Sequence, residues 1–284
     1  MICLWGEWLH VAFLVLMITF TVPNIARAGQ EQGDAAYQAH NYIEAYNHWK
    51  PLAEQGSAQA QYDLGLLFLN GFGVSQDYAA AFTLFRMAAD QGYAQAQNNL
   101  GAMYGKSLRV PQNYELAAEW YRKSAELGNA VGQANIGSYY YFGKGVPQDF
   151  VKALVWLNKA ADQGNVTAQY NLGMFYLEDK GISLNYARSL EYFTKAASRD
   201  HTGAQLSLGL MYFQGLGVTK DYKRALELFT RASDQGSANA QFNLGVMYHD
   251  GLGVNANTAT AAEWWHKAAS QGHVESQNYL KALS

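Results

Sequence analysis

The chain has 284 residues, 49% of them hydrophobic and 15% charged, with a formal net charge of −3. That length allows one or two compact domains, and the composition supports a buried core rather than a disordered chain. There is no basic field to hold a nucleic-acid backbone and no Lys/Arg run to hold an anionic membrane surface, so neither is expected as a partner.

The first 28 residues differ from the rest. Val11 to Val22 is apolar except for two threonines, ends at Pro23 and is followed by Ala26-Arg27-Ala28. Small residues on both sides of Arg27 suit the narrow pocket of a signal peptidase, and the run is short of the roughly 20 residues a membrane-spanning helix needs. Residues 1–28 are therefore predicted to be a signal peptide cleaved before Gly29, with no stable membrane insertion afterwards. The expected location is the bacterial periplasm or the exterior. Glu7 with no Lys or Arg departs from the usual leader, and an uncleaved anchor is the alternative. The single cysteine, Cys3, lies in this segment. The mature chain would hold no disulfide, cysteine nucleophile or Cys-ligated zinc.

From there the sequence repeats every 36 residues. Leu64-Gly65, Leu100-Gly101, Ile136-Gly137, Leu172-Gly173, Leu208-Gly209 and Leu244-Gly245 keep the step, as do Gln61, Gln97, Gln133, Gln169, Gln205, Gln241 and Gln277. A period of this length means a solenoid or an array. Residues 29–56 read as a shortened capping hairpin. Six units follow at 57–92, 93–128, 129–164, 165–200, 201–236 and 237–272, and 273–284 reads as a capping helix.

Each unit reads as two helices. The first, near Ala58 to Asn70, places Leu64, Gly65 and Phe68 on one face. A mid-helix glycine costs about 1 kcal/mol against alanine, so its recurrence points to close approach of the partner helix, expected at the Ala81 position. The Gly71-Phe72-Gly73-Val74 loop follows. Asp77 stands where an N-cap belongs, matched by Asn113, Asp149, Asn185, Asp221 and Asn257, and Gly92 ends the second helix. Ser107 and Arg109 replace loop glycines, Asp179 interrupts the fourth loop, and Asp200 replaces the closing glycine.

The stretch Ala204-Gln205-Leu206-Ser207-Leu208-Gly209, with Tyr212, Gly215, Gly217, Val218, Asp221, Ala225, Ala232 and Gly236, resembles the Sel1-like repeat pattern, a relative of tetratricopeptide repeats. The resemblance covers about residues 35 to 284. It implies an all-α, right-handed superhelical solenoid of antiparallel helix pairs, and most members of such a family are adaptors for assemblies.

Catalytic chemistry is not visible. The glycine loops follow helices and lack a Lys-Ser/Thr, and no H-E-x-x-H, Ser-x-x-Lys or Gly-x-Ser-x-Gly occurs. No catalytic residue, metal ligand or cofactor is assigned. His249 with Asp250, His40 with His48, and His266 with His273 lack ligand spacing. Glu178-Asp179 reads as solvated loop charge.

Binding chemistry is easier to place. In tetratricopeptide repeats the first helix of each pair lines the groove, which by analogy turns positions 62, 63, 66, 69 and 70 outward. Asn99, Asn135, Asn171 and Asn243 share the Asp63 position, and such amides can meet a peptide backbone. Tyr62, Tyr170 and Phe242 stand beside members of that series, and Tyr141, Phe213 and His249 occupy the position of Leu69. These residues form the candidate partner groove for a protein or peptide. The competing reading is that the amides bond only between repeats. The expected function is an exported interaction scaffold. A cell-wall or β-lactam-directed hydrolase, or a peptidoglycan or saccharide binder, is the alternative.

Overall fold

The computed structural model describes residues 27–178 and 183–283. The apolar leader, Cys3 and the Asp179–Gly181 departure lie outside the described residues. Among those described, every regular element is an α-helix. Helix α1 covers 27–38. It is followed by α2 (Tyr42–Glu54), α3 (Ala58–Asn70), α4 (Tyr78–Asp90), α5 (Ala94–Lys106), α6 (Tyr114–Glu126) and α7 (Ala130–Phe142). Then come α8 (Phe150–Asp162), α9 (Val166–Leu177), α10 (Tyr186–Ala197) and α11 (Thr202–Gln214). The last are α12 (Tyr222–Asp234), α13 (Ala238–Asp250), α14 (Thr258–Ser270) and α15 (Val274–Leu283). By internal contacts the described residues form two compact units, 27–132 with 144–146 and 133–143 with 147–178 and 183–283.

The helix ends follow from local chemistry. Asp77, Asn113, Asp149, Asn185, Asp221 and Asn257 each accept a hydrogen bond from a backbone N–H in the first turn that follows, filling donors that a helix start leaves open. Ser57, Asn165 and Ser237 cap first helices in the same way, and His201 does so through Nδ1, which accepts from the Ala204 N–H at 3.1 Å. The loop backbone needs positive φ at two places. Gly71 and Gly73 supply it at 71° and 68°, and Ser107 and Arg109 are held at 58° and 68°. The second repeat therefore keeps the loop shape without the glycines, at the steric cost a Cβ carries in that region. Asp200 likewise takes φ 59°.

The Leu-Gly glycines admit close packing of the partner helix at the Ala81 position, where a Cβ on Gly101 would meet the Ala117 carbonyl oxygen at 3.1 Å, and also at the ring four residues beyond it. A Cβ on Gly65 would meet the Phe85 ring at 2.7 Å, on Gly101 the Tyr121 ring at 2.7 Å, and on Gly173 the Phe193 ring at 2.5 Å. The large side chain four residues beyond the Ala81 position fills the space. The small residues at the Ala81 position are fully buried beside it, and Ser189 Oγ donates to the Gly173 carbonyl at 2.8 Å.

A recurring glutamine also ties the first helix to the pair before it and to the end of its own second helix. Gln61 Nε2 donates to the Ala53 carbonyl at 3.1 Å, while Gln61 Oε1 accepts from Gln91 Nε2 at 2.9 Å. Gln133, Gln205 and Gln241 accept in the same way from Gln163, Gln235 and Gln271, each at 2.8 Å. The buried Oε1 atoms of Gln97 and Gln169 have no hydrogen-bond partner among the described residues. Thirty residues along from them stand Leu127, which has no side-chain donor, and Arg199, whose Nη1 donates to the Gly164 carbonyl instead.

Candidate functional site

In the second unit, α7 and α9 are the first helices of adjacent pairs, and a cavity of about 220 Å³ opens between them. Ser138, Tyr141 and Phe142 border it from α7, and Tyr170, Asn171 and Met174 from α9. Glu178 stands at its edge and Leu157 at its floor. Except for Leu157, all these residues fall on the positions equivalent to 62, 63, 66, 69 and 70. The pair geometry thus turns three of the sequence-assigned residues, Tyr141, Tyr170 and Asn171, onto one surface.

The walls are mostly apolar and aromatic. Tyr141 meets Phe142 edge-on at 4.8 Å and Phe175 at 5.1 Å. Tyr170 lies against Phe193 and stacks on His201 at 4.6 Å. Phe142 is 64% exposed at the rim. Burial lowers the His201 pKa, since the imidazolium loses hydration there.

The polar groups are tied together. Ser138 Oγ donates to the Ala134 carbonyl at 2.9 Å and accepts from Asn171 Nδ2 at 3.0 Å. The Tyr141 phenol donates to Glu178. Burial pushes the Tyr141 pKa up, and the bond to Glu178 adds to the rise by favouring the protonated phenol. Glu178 is therefore not a freely solvated loop charge, as its place beside Asp179 suggested. It reaches across from one repeat to the tyrosine of the repeat before it.

The remaining sequence-assigned residues lie outside this cavity. Tyr62 packs on Phe85 and Tyr93, with ring centroids 5.7 and 5.1 Å away. Its phenol is hydrogen-bonded with Asn99, and burial, the largest of several causes, raises its pKa to about 12. Asn135 is half-buried on α7. Phe213 stands edge-on to Tyr222 at 5.4 Å. Phe242 stacks on His273 at 4.9 Å, with Asn243 next to it on α13. His249 Nδ1 lies 2.6 Å from Asp250 Oδ1. No group of three or more His, Cys, Asp or Glu residues able to hold a metal occurs among the described residues.

The first unit has a different cleft, about 260 Å³, with Asp34, Tyr37, Trp49, Asp63 and Leu66 among its walls. Gln30 Nε2 donates to both Asp34, at 2.8 Å, and Asp63, at 2.7 Å. Burial raises the Asp63 pKa to about 7; the Gln30 bond opposes the rise and the Asp34 charge adds to it. Asp63 is the one carboxylate in a series of Asn and Ser, the sequence signal that marks this end as different.

A sequence profile of the Sel1 repeat matches residues 25–57, 58–93, 94–129, 130–165, 166–201, 202–237 and 238–273. The first of these segments covers the α1–α2 hairpin. Among solved structures, a protective antigen present in uropathogenic Escherichia coli strains and displaying an SLR fold is 38% identical, with a TM-score of 0.79. The match takes in 91% of this chain and 56% of that one, so the chain spans little more than half the length of the Escherichia coli protein. A Sel1 repeat protein from Oxalobacter formigenes is 30% identical with a TM-score of 0.78, over 84% of this chain and 96% of that one. No curated protein matches. No helix among the described residues is long and apolar enough to cross a membrane.

Proposed function

The chain belongs to the Sel1 repeat family, and from that premise we propose that it is an exported, non-catalytic scaffold that holds a peptide segment of a partner protein along its first helices. The observation that carries this reading is the cavity between α7 and α9. A cavity between repeats, lined by outward-turned positions and rimmed by an exposed phenylalanine, suits one apolar side chain of an extended guest. Asn171 stands beside it, where a half-buried amide can also meet the guest's backbone. Export rests on the Val11–Val22 run and on Ala26-Arg27-Ala28. The site brings no nucleophile next to a base, and its one carboxylate is engaged by a phenol, an arrangement that suits recognition rather than turnover.

Selection of peptides from a random displayed library against the purified chain tests the proposal. The enriched peptides should share a recurring apolar position. Met174→Trp, which fills the cavity, and the pair Asn135→Ala with Asn171→Ala should each weaken them at least tenfold, with a melting temperature close to that of the unaltered chain. Enrichment of no peptide, or equal binding to Met174→Trp, would overturn the reading.

A further inference from the structure

We infer that the cavity between α7 and α9 is suited to the indole ring of a tryptophan carried by the partner peptide. The inference rests on the reading of that cavity as the seat of a guest side chain, and it names the side chain. Size is the first argument. At about 220 Å³ the space exceeds the roughly 150 Å³ that holds a single benzene ring. A phenyl group would leave part of the wall without contact, and unfilled space forfeits dispersion attraction. The walls are the second argument. Tyr141, Phe142 and Tyr170 offer ring faces and edges, and Met174 adds a polarizable sulfur, surroundings that favour an aromatic guest over an aliphatic one.

Hydrogen-bond inventory is the third argument, and it separates indole from guests that carry no neutral donor. The single Ser138 proton goes to the Ala134 carbonyl, so the Asn171 amide must turn its NH₂ toward Ser138 Oγ, as it does. That fixes the amide and leaves Asn171 Oδ1 as an acceptor without a partner among the described residues. The Tyr141 proton goes to Glu178, so Tyr141 Oη offers only lone pairs. The Ser138 and Tyr141 hydroxyls have thus spent their protons, and beside the Tyr170 ring and its own hydroxyl these two present acceptor surface set in apolar walls. Phenylalanine or leucine would dry that surface without bonding it. The head group of arginine or lysine would be drawn by the ring faces and Glu178 but would have to shed the hydration of a full charge to enter apolar walls. An indole supplies one neutral N–H on an apolar body.

Nuclear magnetic resonance titration of the full chain with four probes decides the matter. They are N-acetyl-tryptophan amide, its benzothienyl analogue with sulfur in place of the N–H, N-acetyl-phenylalanine amide and N-acetyl-arginine amide. The tryptophan probe should bind roughly tenfold tighter than the benzothienyl probe, and Asn171→Leu should bring that ratio close to one. Equal binding of the two bicyclic probes, or tightest binding of the arginine probe, with Tyr141 and Tyr170 signals still shifting, would overturn the indole assignment and leave the anchor cavity standing. If no probe shifts those signals, both the assignment and the anchor reading fall. The probe comparison uses the unaltered chain, so it decides the question even where Asn171→Leu does not fold.

Discussion

The break in the glutamine ladder at Gln97 can be repaired by one substitution, Leu127→Gln. In intact steps the donor glutamine sits just past its helix, as Gln91 does at φ −86° and ψ 2°, and reaches the acceptor at 2.8–2.9 Å. Leu127 has nearly the same backbone, φ −81° and ψ 6°, so the new side chain starts from the right place. Little burial is lost, because Leu127 is 57% exposed. A buried acceptor left unbonded costs about 1–3 kcal/mol, and a neutral hydrogen bond nets about 1 kcal/mol. After the cost of ordering the new side chain, Leu127→Gln should stabilise the chain by about 1 kcal/mol, or roughly 2–4 °C in melting temperature. Thermal melts followed by circular dichroism measure it, with Leu127→Ala as the control for simple loss of the leucine. The gain should disappear in a Gln97→Met background. If Leu127→Gln is no more stable than Leu127→Ala, or if the gain survives loss of Gln97, the ladder argument is wrong.

Two further outcomes follow from the packing and the electrostatics. Gly173→Ala should destabilise the chain by about 2 kcal/mol: overpacking against the fully buried Phe193, with the new Cβ only 2.5 Å from the ring, costs up to about 3 kcal/mol, and helix propensity returns about 1 kcal/mol. A urea midpoint equal to or above that of the unaltered chain would refute it. Asp63 should make stability fall as pH rises, because its folded pKa, about 7, lies above its ordinary 3.8; the contribution is complete below about pH 4 and is lost through about pH 7. Asp63→Asn keeps the acceptor for Gln30, removes this slope, and should stabilise the chain at pH 8 by on the order of 2 kcal/mol after allowance for partial solvent access. An unchanged slope in unfolding free energy between pH 4 and 8 would show that Asp63 is not the group responsible.

Much of the local structure is decided by short segments and was legible without coordinates. A polar residue at an N-cap, glycines in a loop and a Leu-Gly pair on one helical face act on neighbours within a turn or two, so Asp77, Gly71 and Leu64 announce the elements they make. The 36-residue step then says how often the pair recurs, while the outward face of the first helix, positions 62, 63, 66, 69 and 70, came from the analogy with tetratricopeptide repeats. Tertiary packing decided which side chains meet. Contacts between repeats do not follow the period itself: Asn171 bonds Ser138 across 33 residues and Tyr141 bonds Glu178 across 37, while within one repeat Gln163 reaches back to Gln133 across 30. Those offsets come from how one helix leans against the next, and nothing in the spacing of a single unit sets them. For the same reason the glycines met the Phe85 position as well as the Ala81 position. A carboxylate beside a loop could be recognised as a tyrosine's partner, and Asp63 as a half-buried acid, only once the neighbouring helix had been laid over each of them.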